Sequence, residues 1–281
     1  MTELVALSAD GHRVRALDAG SGPALLFVHG GGGSPSDWDG VVQFLADDFR
    51  AVRIHRRIYE PGADIVLPHS MAVEAADIVA VARLLSPPVL LVGHSSGAVA
   101  SLEAVLLDPS AFAGVALYEP PVATKRLVAG PAGVRARELL DAGEPAEAMR
   151  LHLRDIVQMP ADAVDRLFAD ARGRERFAMR AAASIADTEA IDALGVGIER
   201  FAALDLPVTL IQGDESPAHL GERLADLAAA LPDARIVTLA GQGHFANRTA
   251  PHLLADAVRD AARSLGTRTA SPEAPQSTPT G

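Results

Sequence analysis

The chain has 281 residues, enough for one large domain with a sizeable apolar core, and its 49% hydrophobic and 22% charged residues exclude disorder for most of its length. A formal net charge of −11, with no basic cluster longer than Arg56-Arg57, argues against nucleic acid or an anionic membrane surface as a partner. The absence of cysteine removes disulfides, thiolate metal sites and cysteine nucleophiles.

Leu4 to Leu7 and Val14 to Leu17 read as strands joined at Asp10-Gly11, a dipeptide suited to a tight hairpin because glycine accepts positive φ. Ala24 to Val28 is a short, continuously apolar run, and Val52 to Ile54 and Val89 to Val92 repeat it with helical patterns between. Strands buried on both faces have this character, which predicts a parallel sheet with crossover helices. Asp37 to Ala46 carries Trp38, Val41, Val42 and Leu45 at helical spacing, and Val73 to Leu85 carries Val73, Ala76, Ala80 and Leu84 before Pro87-Pro88 ends it. A helix over Ala98 to Leu107 and a strand over Phe112 to Tyr118 follow, closed by Pro120-Pro121. From Val122 to Ala203 the pattern is of amphipathic helices broken at Gly130, Gly143, Pro160, Gly173 and Gly195, without a strong strand. Pro207 to Gln212 and Ala234 to Leu239 resume as strands, each followed by a helix, Ala218 to Leu231 and Pro251 to Leu265. Thr267 to Gly281, rich in Ser, Thr and Pro, is expected to be a disordered tail.

Three loops carry groups suited to chemistry. Gly93-His94-Ser95-Ser96-Gly97 sits between a strand and a helix, where a sharp turn strains the middle residue and needs small residues two positions before and after it. That makes Ser95, the middle residue, the candidate nucleophile. A serine hydroxyl is weak alone and needs a base, an acid to orient the base, and donors for a developing oxyanion. His29-Gly30-Gly31-Gly32-Gly33 follows the strand Ala24 to Val28 and lets backbone NH groups approach a carbonyl oxygen. A phosphate loop would want Lys-Ser or Lys-Thr after its glycines, but Ser34-Pro35-Ser36 stands there. Gly241-Gln242-Gly243-His244-Phe245 follows the last strand, with glycines that free the backbone to aim His244.

His29-Gly30 with Gly33-Ser34 and Trp38, the Gly93 to Gly97 pentad, Leu117-Tyr118-Glu119-Pro120-Pro121 and Gly243-His244-Phe245 together resemble the α/β-hydrolase superfamily over roughly Leu25 to Pro251. The resemblance implies an α/β fold: a mostly parallel eight-stranded sheet flanked by helices, with a helical lid inserted between strands six and seven. Residues 1–121 and 204–266 would form the core, 122–203 the cap and 267–281 the tail. It implies a metal-free, cofactor-free serine hydrolase with Ser95 as nucleophile, His244 as general base, and the backbone NH groups of Gly31 and Ser96 as oxyanion donors.

The acid departs from the family's commonest pattern. That pattern places an aspartate three residues after the glycine ending the seventh strand; here the glycine is Gly213 and the residue is Ser216. Other members place the acid at the end of the sixth strand, where Glu119 stands, so Glu119 is the expected acid, with Asp214 and Glu215 as alternatives. After Ile54, His55-Arg56-Arg57-Ile58 replaces a more usual Asp-Arg-x-Gly; these arginines either brace loops or meet a substrate carboxylate. In the cap, Met149, Met159, Phe168, Phe177 and Met179 are candidates for an adaptable apolar pocket lining, or else the cap's own core. The expected substrate is a small to medium apolar ester, lactone, thioester or amide. The alternatives are a ligand-binding protein without turnover, or a cyclase or lyase-like enzyme on the same fold. Met1 to Asp18 lacks a signal-peptide pattern and no apolar run approaches about 18 residues, so a cytoplasmic protein with no membrane partner is expected, as monomer or homodimer.

Overall fold

The chain opens with a hairpin, β1 (Thr2–Leu7) and β2 (Arg13–Ala19), whose turn is closed by the Ser8 N–H donating to His12 O at 2.9 Å. Gly11 takes φ +85 there, a conformation few other residues adopt without strain. In this computed structural model, which describes residues 2–60, 62, 65–86 and 88–269, the hairpin forms one edge of an eight-stranded sheet. The other strands are β3 (Ala24–Val28), β4 (Arg50–Ile54), β5 (Val89–His94), β6 (Phe112–Tyr118), β7 (Val208–Gly213) and β8 (Ala234–Leu239). Their order is β1-β2-β4-β3-β5-β6-β7-β8, antiparallel as far as β4 and parallel from there on.

Period-two alternation explains why the central runs lack a polar face. In β3, Leu25 and Phe27 enter one apolar layer with Trp38, Leu45, Leu254 and Val258, while Leu26 and Val28 enter the opposite layer with Ile78, Val99 and Leu102. β5 and β6 divide in the same way, Leu90, Val92, Ala116 and Tyr118 against Val89, Leu91, Val115 and Leu117. Each large side chain buried this way contributes about 1.5–3 kcal/mol, so the rigid middle of the sheet is also where the loops that follow β3, β5 and β6 are best anchored.

The helices are α1 (Asp39–Val42), α2 (Met71–Leu84), α3 (Ser96–Leu107), α4 (Pro131–Asp141), α5 (Pro145–Leu151), α6 (Ala161–Leu167), α7 (Ala171–Asp192), α8 (Ala218–Ala230), α9 (Ala246–Thr249) and α10 (Pro251–Thr269). The helix expected over Asp37 to Ala46 is shorter: a 3-10 turn at Pro35–Trp38 leads into the four residues of α1. Gly40 interrupts that segment, and its bare Cα lies against α10, where a β-carbon would be 3.2 Å from the Pro251 ring. Trp38, Val41, Val42 and Leu45 are buried regardless. The last helix also overruns its expected end, reaching Thr269 rather than Leu265, so the tail expected from Thr267 does not begin there; residues 270–281 lie outside the described residues.

Between β6 and β7 the chain forms α4 to α7, with α5 running into a turn of π-helix at His152–Ile156. These helices carry small apolar clusters of their own, one around Met149, Leu153, Val164 and Phe168 and another around Ala136, Ala148, Leu151 and Ile185. α7 is the long member, started by Asp170, whose carboxylate accepts the Gly173 N–H at 2.6 Å.

Candidate active site

Ser95 occupies the corner between β5 and α3 with φ 51 and ψ −126, a strained backbone for a residue with a β-carbon. The flanking glycines are required by close approach. A β-carbon on Gly93 would sit 2.6 Å from Ala98 Cα, and one on Gly97 would sit 2.3 Å from the His29 carbonyl oxygen. The corner is further fixed by the Ser95 N–H donating to Tyr118 O at 2.9 Å and by the Ala98 N–H donating to Ser95 O at 2.8 Å.

Glu119 follows directly on β6 and is likewise a non-glycine residue at positive φ, 48. It is fully buried, and both of its oxygens are used. Oε1 accepts the Gly213 N–H at 2.8 Å, and Oε2 accepts His244 Nδ1 at 2.5 Å. A carboxylate oxygen accepts only, so the shared proton sits on Nδ1 and Nε2 is left as the acceptor of the imidazole. The His244 loop is held from below by two neighbours: His94 Nε2 bonds the His244 carbonyl at 2.9 Å, and the Tyr118 hydroxyl donates to the Gly243 carbonyl while accepting the Ala246 N–H at 3.2 Å. The rings of His94 and Tyr118 stack at 5.1 Å, and those of His94 and His244 lie 4.8 Å apart. Burial holds the His94 pKa well below the usual imidazole range, so this ring acts as a neutral hydrogen-bonding spacer.

Ser95 and His244 share the wall of one cavity of about 510 Å³, which Gly31 and Ser96 also line. Ser96 is the first residue of α3, where the backbone NH groups of the opening turn have no intrahelical acceptor. The Ser95 hydroxyl has no hydrogen-bond partner among the described residues. Catalytic hydrogen bonds in unliganded sites are often loose, so the shared wall carries more weight than this one contact. The alternative acids are elsewhere. Asp214 is exposed and accepts the Gly241 N–H at 2.7 Å in a turn, and Glu215 is exposed beside it.

Under the glycine loop lies a buried ion cluster built on Arg56, one of the two arginines expected either to brace loops or to meet a substrate carboxylate. Arg56 donates to Glu74 at 2.8 Å, to Asp187 of α7 at 2.6 Å and to the Ser96 hydroxyl at 2.8 Å, and the Tyr59 hydroxyl donates to Asp187 at 2.7 Å. Burial would raise the Glu74 pKa, but Arg56 and His69 outweigh it and hold the carboxyl at about 2. Arg57 instead pairs with Asp10 and Asp77. Neither arginine is on the cavity wall.

Of the five side chains expected to line the pocket, Met149, Met159 and Phe177 do. Phe168 does not: it is buried behind the wall, stacked on Phe177 at 4.9 Å. Met179 does not either, being 74% exposed on the far side of α7, because a step of two residues turns the helix about 200° from Phe177. The polar lining was not foreseen: Arg176, Arg180, Ser184 and Thr188 from α7, with His152 and His219. The i, i+4 spacing of the α7 residues was the available signal. Among the described residues no group of three or more His, Asp or Glu side chains is placed to hold a metal ion, and no helix is long and apolar enough to cross a membrane.

Comparison with known proteins agrees with this architecture. A 2-(acetamidomethylene)succinate hydrolase of Mesorhizobium japonicum is 27% identical over 253 residues, covering 86% of this chain and 88% of that protein. An α/β-hydrolase of Sphaerobacter thermophilus superposes with a TM-score of 0.78 at 25% identity, over 92% of this chain and 99% of that one. The enol-lactonase of Burkholderia xenovorans shares the fold with a TM-score of 0.72 at 20% identity, over 92% of this chain and 98% of its own. Residues 25–257 match the model of the alpha/beta hydrolase family, a span that takes in the sheet from β3 onward, the strained serine corner and the His244 loop, and the chain belongs to that family of hydrolases.

Proposed function

We propose that this hydrolase cleaves an ester, lactone, thioester or related acyl bond of a small to medium substrate through Ser95, His244 and Glu119. The observation that carries the reading is the 2.5 Å hydrogen bond from His244 to buried Glu119, made behind the cavity wall that His244 shares with Ser95 at its strained corner. His244 Nε2 takes the proton of Ser95 as the hydroxyl oxygen attacks the acyl carbon, and Glu119 stabilises the imidazolium that forms. The carbonyl electron pair moves onto oxygen, which the NH groups of Gly31 and Ser96 receive. Collapse of this adduct expels the leaving group with the proton from His244, leaving an acyl-Ser95. Water, deprotonated by His244, then releases the acid and restores the hydroxyl.

The cavity volume lies within the range of small-molecule sites. α4 to α7 act as its lid, and their walls mix the apolar Met149, Met159 and Phe177 with polar groups. The matched 2-(acetamidomethylene)succinate hydrolase is a relative whose name describes hydrolysis, which supports the same reaction class here. The test is covalent. A fluorophosphonate probe should add one equivalent of mass to the wild-type protein and none to Ser95→Ala, and a graded series of acyl esters and lactones should be turned over by the wild type alone. An unlabelled wild-type protein that turns over none of the series would sink the reading in favour of a ligand-binding role without turnover.

A further inference from the structure

α7 lays one stripe of side chains along the cavity: Arg176, Arg180, Ser184, Asp187, Thr188 and Ile191, the three-and-four spacing of a single helical face. Its outer end is cationic although the whole chain has a net charge of −11. Arg176 and Arg180 are exposed and form no ion pair among the described residues. Arg180 donates to the Gly32 carbonyl, and Arg176 lies over the Phe177 ring at 4.9 Å from its centroid. Arg248, a third cation on the wall, is held by Asp37 at 2.8 Å. The one carboxylate on the wall among the described residues, Asp187, is taken up by buried Arg56 and the Tyr59 hydroxyl. The surface the cavity offers is therefore positive in balance, and it would draw in and retain negative charge.

One turn deeper, Ser184 is only 2% exposed and its Oγ has no hydrogen-bond partner; His152 Nδ1, on the same wall, is also unpartnered. Buried polar atoms are nearly always paired, so unpaired ones on side chains that line a cavity mark a place where a ligand can supply the partner. Ser184 also abuts the loop that Arg180 touches, since a β-carbon on Gly32 would meet its Oγ at 3.4 Å. A carboxylate beside that loop would accept from the hydroxyl and from the planar fork of the guanidinium, which suits two oxygens better than a neutral group does.

We propose that this stripe is an anion subsite: the acyl substrate carries a carboxylate, held by Arg180 and Ser184, with Arg176 attracting it at the mouth. This departs from the apolar substrate expected from the cap's methionine and phenylalanine side chains, and it rests on the serine hydrolase reading above. The experiment compares kcat/KM for monomethyl glutarate and for methyl hexanoate, a neutral ester of similar length. The wild type should prefer the glutarate ester by about 10-fold or more, and Arg180→Gln and Ser184→Ala should each reduce that ratio by about 10-fold. Arg172→Gln removes the same charge from the same helix but away from this cavity, and should leave the ratio as it is. A wild-type ratio near one, or a ratio unchanged by both subsite variants, overturns the proposal. Binding of glutarate to Ser95→Ala, measured calorimetrically, reads the subsite without turnover. If that binding is present and is lost with Arg180→Gln, the subsite stands even where neither ester is cleaved, and the acyl-enzyme reading alone fails. Absence of binding overturns the subsite while leaving fluorophosphonate labelling of Ser95 intact.

Discussion

Replacing Glu119 by Gln conserves the side chain's shape and removes one acceptor, which isolates its proposed role. In the native site both carboxylate oxygens accept, from the Gly213 N–H at 2.8 Å and from His244 Nδ1 at 2.5 Å. An amide offers one acceptor and one donor. If its oxygen stays with Gly213, its NH2 faces Nδ1, and the imidazole is held with its proton on Nε2, the nitrogen that must take the proton of Ser95. If the amide flips, its NH2 opposes the Gly213 N–H in a fully buried place, at a cost of about 1–3 kcal/mol for the unpaired donor. Either way the negative charge opposite the imidazolium is gone. The expected loss in kcat is about 10³ to 10⁴-fold, about 4–5.5 kcal/mol of barrier, as for the wrong tautomer in an acid-to-amide change of a serine triad. KM should change little, because Glu119 is not on the cavity wall. The assay is steady-state ester hydrolysis by the wild type, Glu119→Gln and Asp214→Asn, with a thermal melt for each to confirm folding. Asp214→Asn keeps an acceptor for the Gly241 N–H in its exposed turn and should stay within about 3-fold of the wild type. Retention of more than about a tenth of kcat by Glu119→Gln, or an equal collapse in Asp214→Asn, refutes the assignment of the acid.

Two further outcomes concern stability. Asp187→Asn leaves Arg56 buried with one carboxylate instead of two, which should cost about 3–5 kcal/mol and lower the urea midpoint; a loss below about 1 kcal/mol would show that the pair does not tie α7 to the sheet. Burial also depresses the His29 and His152 pKa values from 6.5 to about 4, so the unfolded chain binds more protons than the folded one between those values. The stability they confer as neutral groups is full above about pH 6.5 and is lost as pH falls towards 4, by up to about 3 kcal/mol for each ring. Thermal melts at about pH 7, 5.5 and 4.5 should show a falling Tm, and a flat profile would contradict the neutral buried state of these imidazoles.

What the sequence made legible is what local rules enforce. A strand with no polar face, such as Leu25 to Val28, has nowhere to go but the middle of a covered sheet, and Gly93 and Gly97 are demanded by contacts within a few residues of Ser95 or with the adjacent strand. Glu119 could be singled out by its place at a strand end, but its positive φ and its second bond, to the Gly213 N–H, belong to the assembled sheet. The partnership of Arg56 with Asp187 spans 131 residues and joins two elements that no sequence pattern pairs. The cavity lining was legible only in part, for a different reason: residue type was used where helix phase decides, and it found Met149, Met159 and Phe177 but not the polar groups. Phe177 and Met179 are both apolar, but two positions apart on a helix they cannot share a face, and the face that turns inward carries Arg176, Arg180 and Ser184. Arginines on an amphipathic helix ordinarily mark the solvent side, so the rule that locates a core points the wrong way where a helix closes over a cavity. There the inward face answers to the cavity as well as to the core, and under the anion-subsite proposal its two arginines serve the substrate's charge rather than the fold.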